Sequence, residues 1–419
     1  MMSPFSSSPE FSHPPHTSGE SFSEAFMASG SDHARSSLPE EHRIHFDELR
    51  GSILAFCHEF SIPVETLRSK EDFGKQLTSK EIPPERMQAV SLLFTHLEYL
   101  ITHKEPLKEF LKPLEHAETF YNLTEQYTVQ VKFLERVGIL KDGAIIGIDG
   151  KEYLIPMLEQ IASRLLEQEP KLRMKRDQGF TKLLLVPFGM SLDSLRETLK
   201  QFLLTYKKDH PTFDLHTTEP FWTWDNYVGA DIGKHPKFVY LPKTFGEDHQ
   251  GQTKEEILEE QTSNPEDFFL GWRIHLFRPS NPDDKTSRGF NAIPRQGKGK
   301  THGKELPRKD LEANQTPGVY LSILEEAKDD LSSSYHGESG LTPEDWILAF
   351  MTHLTETGHP LDNFENNTDS ITYLTRVFFP SSSIVPCAYW YRRHRQADLD
   401  QNNPNANDGE VGVRTSVIV

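Results

Sequence analysis

The residues best suited to chemistry lie at the C-terminus. From Pro386 the chain reads PCAYWYRRHRQADLDQNNPNANDGEVGVRTSVIV. Apolar or structural anchors recur along it: Trp390, Ala397, Leu399, Pro404, Gly412, Val413 and the strand-like TSVIV. Between them stand Tyr389, Tyr391, Arg393, His394, Gln396, Asp398, Asp400, Asn402, Asn403, Asn405 and Asn407. Tyrosine gives large amphipathic contact and asparagine gives two-way hydrogen bonding, the combination that adaptable binding surfaces use. These eleven are the candidate ligand-binding residues. Asparagine is a poor former of helix and strand, so the composition predicts an extended loop pinned by a few anchors. Tyr391, His394, Asp398, Asp400, Asn402, Asn405 and Asn407 alternate with those anchors and are expected to point away from the core.

Arrangements that would carry catalysis fail. GKGKTHGK (297–304) has the wrong spacing for a phosphate loop, because the fifth position after Gly297 is His302. There is no HExxH and no Gly-x-Ser-x-Gly. Two cysteines, Cys57 and Cys387, make neither a disulfide framework nor a four-thiolate zinc site. His13, His16 and His33 show no repeated ligand spacing. No catalytic residue, metal or cofactor is expected.

Bulk properties narrow the partners. The 419 residues carry 63 acids against 45 bases, a net charge of −18. That argues against a general nucleic-acid coat. Mean hydropathy is −0.58, and no apolar run approaches the ~20 residues needed to span a bilayer. Residues 285–309 form a local exception, with eight Lys or Arg and one Glu. A solvated loop is the plain reading there; a phosphate or nucleic-acid binder is the alternative. The chain starts without a basic n-region or an apolar core, so no secretory signal is read and the cytoplasm is the expected compartment. Residues 1–40 hold twelve Ser and five Pro and are expected to be a disordered tail.

Elements must position the C-terminal residues. From 41 to 140 the apolar residues recur at helical steps, for example Met87, Val90, Leu93, Phe94, Leu97 and Leu100. Pro106 and Pro113 are read as dividing that stretch. Between 141 and 210 an α/β connecting region is expected. It has a hairpin turning at Asp149-Gly150, a helix over 157–167, a buried strand KLLLVPF and a helix over 192–207. Beyond Pro211 the chain is rich in Trp, Gly, Pro and Asn and predicts a loop-rich β domain over 211–419, with the main boundary at 208–220. Its clearest helix starts at LTPEDW, where Thr342 caps, Pro343 takes the first position and Asp345 lies three residues on. The expected class is α+β: disordered tail, small helical domain, short α/β segment and the C-terminal domain.

The C-terminal segment resembles the variable region of proteins diversified by diversity-generating retroelements. The likeness rests on W-x-R-x-x-R-x-A-x-L-x-x-x-N-P followed by G-x-R: Trp390, Arg392, Arg395, Ala397, Leu399, Asn403-Pro404 and Gly412-Val413-Arg414. LTPEDW resembles the helix start of the same proteins. The lead-in differs, being Cys387-Ala388-Tyr389-Trp390 where Gly-Gly-Ser-Trp is common. The chain is also similar to a group of bacterial proteins built the same way. The resemblance implies a C-type-lectin-like domain of the formylglycine-generating-enzyme subtype. It implies a variable segment, 387–412, whose adenine-rich codons favour Asn, Tyr, Asp, His and Ser. The function it implies is non-enzymatic binding of an unknown protein or surface ligand. The alternative is an oxidase of the formylglycine-generating type. That chemistry uses two neighbouring cysteines to hold copper, whereas Cys57 lies in the helical region and Cys387 stands alone.

Overall fold

The computed structural model describes residues 28–63, 82, 84–104, 108–233, 235–265, 267–282, 284, 286–294, 308–364, 371–407 and 409–419. The fold is α+β, and the chain divides into two units between Lys112 and Pro113. The boundary read at 208–220 is therefore moved about a hundred residues toward the N-terminus. The reason is pairing: strand β3 (Lys182–Val186), which precedes that boundary, bonds along its whole length to β6 (Arg273–Phe277), which follows it.

The first unit is helical. Helix α1 spans Ala28–Ser36, α2 Arg43–Glu59 and α3 Pro84–His103. Of the tail expected over 1–40, residues 1–27 lie outside the described residues and 28–36 are helix. Phe46, Leu49, Ile53 and Phe56 recur every three or four residues, so α2 buries one stripe. Val90, Leu93, Phe94 and Leu97 form the matching stripe on α3, and α2 packs on α3.

The second unit begins within helix α4 (Lys108–Tyr121), which carries Pro113 in its interior rather than ending there. Pro113 is the sixth residue of the helix and costs it one intrahelical N–H bond. Helix α5 (Leu123–Arg136) leads to Gly138, which adopts φ +76. Strands β1 (Ala144–Ile146) and β2 (Glu152–Leu154) form the expected hairpin, with Gly150 at φ +75 in the turn. Helices α6 (Leu158–Glu167), α7 (Glu169–Asp177) and α8 (Leu192–Asp209) surround β3 in sequence.

Two sheets follow. In the first, strand order is β3-β6-β14-β7, with β7 at Glu338–Ser339 and the C-terminal strand β14 at Ser416–Ile418. The second runs β13-β9-β11-β12-β4, with β8 also on β11. Its members are β4 (Phe221–Thr223), β8 (Asn363–Phe364), β9 (Ile371–Tyr373), β11 (Val385–Tyr391), β12 (Gln396–Asn402) and β13 (Val411–Val413). A short pair joins β5 (Val239–Tyr240) to β10 (Val377–Phe378). Two helices not foreseen, α9 (Lys254–Ser263) and α10 (Pro317–Lys328), interrupt the loop-rich stretch.

Helix α11 (Pro343–Thr357) is the axis of this unit. Thr342 accepts from the Asp345 N–H and Asp345 returns a bond to the Thr342 N–H, so both orphan donors are satisfied. Gly358, at φ +75, ends the helix. Trp346, Ile347, Phe350, Met351 and Leu354 are all buried, because α11 packs against α8, β3 and β11 at once. Its polar Glu344, Asp345 and Thr352 are buried too, so the helix is internal along residues 343–352. This packing fixes β11, and with it the C-terminal hairpin.

Candidate binding surface

Strands β11 and β12 are antiparallel, with Tyr389 opposite Asp398, Trp390 opposite Ala397 and Tyr391 opposite Gln396. The segment read as extended loop is thus a hairpin. The low strand propensity of its Asn, Asp and Gln is overridden because β12 is bonded on both sides, to β11 and, in parallel, to β4.

Strand periodicity then sorts the side chains. Ala388, Trp390, Ala397 and Leu399 enter the main core. The Trp390 ring lies 6.1 Å from Phe350 and 5.3 Å from Phe213. On the other face stand Tyr389, Tyr391, Gln396, Asp398, Asp400 and Asn402, together with Cys387. Six of the eleven candidates therefore share one sheet face. Their side chains interlock: Gln396 Nε2 donates to Asp398 Oδ1 at 2.9 Å, and the Tyr389 hydroxyl donates to Asp400 Oδ2 at 3.0 Å. Asn402 Nδ2 reaches the Tyr373 hydroxyl at 3.3 Å. Phe364 touches both Tyr389 and Tyr391 edge-on or tilted, with centroids 5.7 and 5.8 Å away.

This face is less open than the alternation predicts. Asp398 and Gln396 are each 4% exposed and Tyr389 8%. The expectation that Asp398 points into solvent is corrected. The cause lies across the ladder: Asp398 is flanked by Tyr389 on β11 and Trp222 on β4. Tyr389 and Cys387 in turn pack with Tyr320, Leu324, Tyr373, Val411 and Val413. Burial pushes the Asp398 carboxyl up to about 7; the Asp400 charge adds to the rise and the Gln396 bond opposes it. Burial also raises the Tyr389 hydroxyl and the Cys387 thiol well above their ordinary values. A protonated, buried thiol is a poor nucleophile.

The exposed candidates sit at the two ends of β12. Arg393 and His394 occupy the turn 392–395, where His394 packs 4.3 Å from the Tyr391 ring. Asn403, Asn405 and Asn407 are exposed beyond the strand. Asn403 Oδ1 accepts from the Asn405 N–H at 2.8 Å, a local turn that shapes the loop without a core. The seven residues of β12 separate the two groups by about 24 Å, at 3.4 Å per residue. Tyr391, Asp400 and Asn402 are partly exposed between them.

Two parts of the site were not read as site residues in the sequence. Trp222 stands opposite Asp398, and its signal was the alternation FWTW. Asp362 collects the fixed positions: its carboxylate takes Arg414 Nη2 at 2.5 Å and the Trp346 indole N–H at 3.0 Å, and its carbonyl takes the Trp390 N–H at 2.9 Å. No short motif announces Asp362. Of the basic loop 285–309, residues 285 and 295–307 lie outside the described residues. What is described is tied to the fold: Phe290 is buried and Arg308 pairs with Glu338. Among the described residues, no helix is long and apolar enough to cross a membrane. In comparisons with known proteins, no family model, curated protein or solved structure matches the chain.

Proposed function

We propose that the chain is a non-enzymatic binding protein whose C-terminal hairpin and the loop after it present a diversified contact surface. The observation that carries this reading is the register of β11 on β12. It places the anchors of the W-x-R…A-x-L pattern in the core and the Tyr, Gln, Asp and Asn positions on the other face or at the strand ends. Such a division lets surface residues change while the core stays constant. The contact residues are the exposed Arg393, His394, Asn403, Asn405 and Asn407 and the partly exposed Tyr391, Asp400 and Asn402. Tyr389, Gln396 and Asp398 form the floor beneath them. The partner is a protein or surface ligand, and its affinity would come from a few aromatic and Arg anchors such as Tyr391 and Arg393.

The test is genomic, with a binding control. A near-copy of the DNA encoding residues 386–419 is sought beside a reverse-transcriptase gene. Differences at adenines are expected in the codons of the contact residues and not in those of Trp390, Ala397, Leu399 and Arg414. Differences spread evenly over both groups would remove the reading. As the control, Arg393, His394, Asn403, Asn405 and Asn407 are changed together to Ser. Retained folding with lost binding to a partner selected on the native chain is the expected result.

A further inference from the structure

A cleft of about 590 Å³ opens beside the turn of the hairpin, and it lies outside the contact surface described above. Its apolar wall is Tyr206, Phe213 and Trp390: Phe213 meets Tyr206 edge-on and Trp390 at a tilt, with centroids 5.1 and 5.3 Å apart. Tyr206 and Phe213 are only half-buried, so ring surface is left for a ligand. Arg392 and Arg395 reach it from the turn, and Asn363 from β8.

Arg392 lines the cavity and forms no side-chain hydrogen bond or ion pair with any described residue. Arg395 holds Asp214 at 3.3 Å, but both are exposed, and such a pair is worth less than about 1 kcal/mol. Arg395 also adopts φ +56, a backbone state that costs a residue with a Cβ roughly 1 kcal/mol. Asn363 Oδ1 accepts no hydrogen bond from any described residue. Helices α8 and α11 both end here, and bare carbonyl ends would repel an anion. One carbonyl near each end is covered by more than its helical bond. Leu354 O accepts from the Gly358 N–H and the Tyr206 hydroxyl, while Tyr206 O accepts from the His210 N–H and faces its Nδ1 at 3.1 Å. An arginine without a side-chain partner among the described residues, set at an aromatic wall on a chain of net charge −18, concentrates positive potential in one small place.

We infer that this cleft binds an aromatic ring carrying a phosphate or a carboxylate. The ring lies on Phe213 and Tyr206, and the anion takes the fork of Arg392, with Arg395 turning from Asp214 to join it. Arginine matches either anion bidentately, and the volume suits a ligand of one or two rings.

The full chain is titrated with phenyl phosphate, benzoate, benzyl alcohol and inorganic phosphate, followed by ligand-observed NMR. One aryl anion should bind at least tenfold more tightly than both benzyl alcohol and inorganic phosphate. Whichever aryl anion is tighter identifies the natural anion. Arg392→Ala should weaken that probe at least tenfold with an unchanged melting curve, and Arg392→Lys should recover part of the loss. If Arg392→Ala fails to fold, Arg392→Gln supplies the same comparison. Binding of benzyl alcohol as tight as the anions, undiminished binding to the Arg392 variants, or no binding of any probe at millimolar concentration would each overturn the inference. It does not rest on the diversified surface: Arg392 is not among the contact residues, and either proposal can fail alone.

Discussion

Arg414 and Asp362 form a buried ion pair, Nη2 to Oδ1 at 2.5 Å, with both side chains 3% exposed or less. The pair joins the end of the chain to the segment after α11. The same Asp362 holds Trp346 on α11 and Trp390 on β11. Three positions that are distant in sequence, and that belong to the resembled pattern, thus meet at one aspartate.

Arg414→Met leaves the Asp362 carboxylate buried without its cation. Removing one partner of such a pair costs about 3–5 kcal/mol. Urea denaturation should show that loss, and changing Asp362 to Asn in the same chain should recover part of it. A midpoint unchanged by Arg414→Met would mean that the pair contributes nothing to the second unit.

Trp390→Ala tests the core side of the hairpin. The ring is 3% exposed and packs between Phe350 and Phe213. Truncating a buried aromatic of this kind costs about 3–5 kcal/mol. The fivefold Ser variant of the contact residues should lie far closer to the native chain, because exposed substitutions typically shift stability by under about 0.5 kcal/mol each. Equal losses in the two variants would contradict the division of the strand into a core face and a contact face.

Asp398 gives the hairpin a pH dependence. The carboxyl ionises near 3.8 in the unfolded chain and near 7 when folded. Between those values the folded state holds a proton that the unfolded state has lost, so this group's contribution falls as pH rises from 4 to 7. The full effect is at most about 4 kcal/mol. Asp398→Asn cannot lose the proton. The stability of that variant relative to the native chain should therefore increase from pH 4.5 to pH 7.5. A constant difference across the range would place the Asp398 ionisation in the ordinary carboxylate range.

What the sequence discloses depends on how local the cause is. The start of α11 is legible because Thr342, Pro343 and Asp345 act within one turn. The hairpin at Asp149-Gly150 is legible because two residues decide it. Helix α9 carried an equally local sign, Thr253 and Glu256 in a reciprocal cap, which the loop-rich composition obscured. That no division falls at 208–220 is not legible, since it follows from β3 pairing with β6 across some ninety residues. In the candidate surface, period two gives the sides of β12 correctly. The burial of Asp398 depends on Tyr389 and Trp222 across the ladder, and no window along one strand contains both.

Lys254 offers a test of the core that is independent of the hairpin. Its ammonium is fully buried, 2.6 Å from Asp231, 2.8 Å from Glu344 and 2.7 Å from the Met190 carbonyl. The Tyr240 hydroxyl donates to the same Glu344 oxygen at 2.6 Å. Burial alone would favour a neutral amine, but the two carboxylates outweigh it and hold the pKa above the ordinary lysine value. Lys254→Met therefore leaves two acids facing each other in a dry site. At neutral pH both would have to stay charged without the lysine, with Arg273 the cation left acting on Glu344, and the loss should be about 3–5 kcal/mol. The alternative open to the variant is to take up protons, which becomes cheaper as pH falls. Its deficit against the native chain should shrink between pH 7.5 and pH 5. Denaturation midpoints at the two pH values measure this directly. A deficit that is the same at both would mean that the lost packing of the lysine stem, and not the uncompensated charge of Asp231 and Glu344, sets the cost.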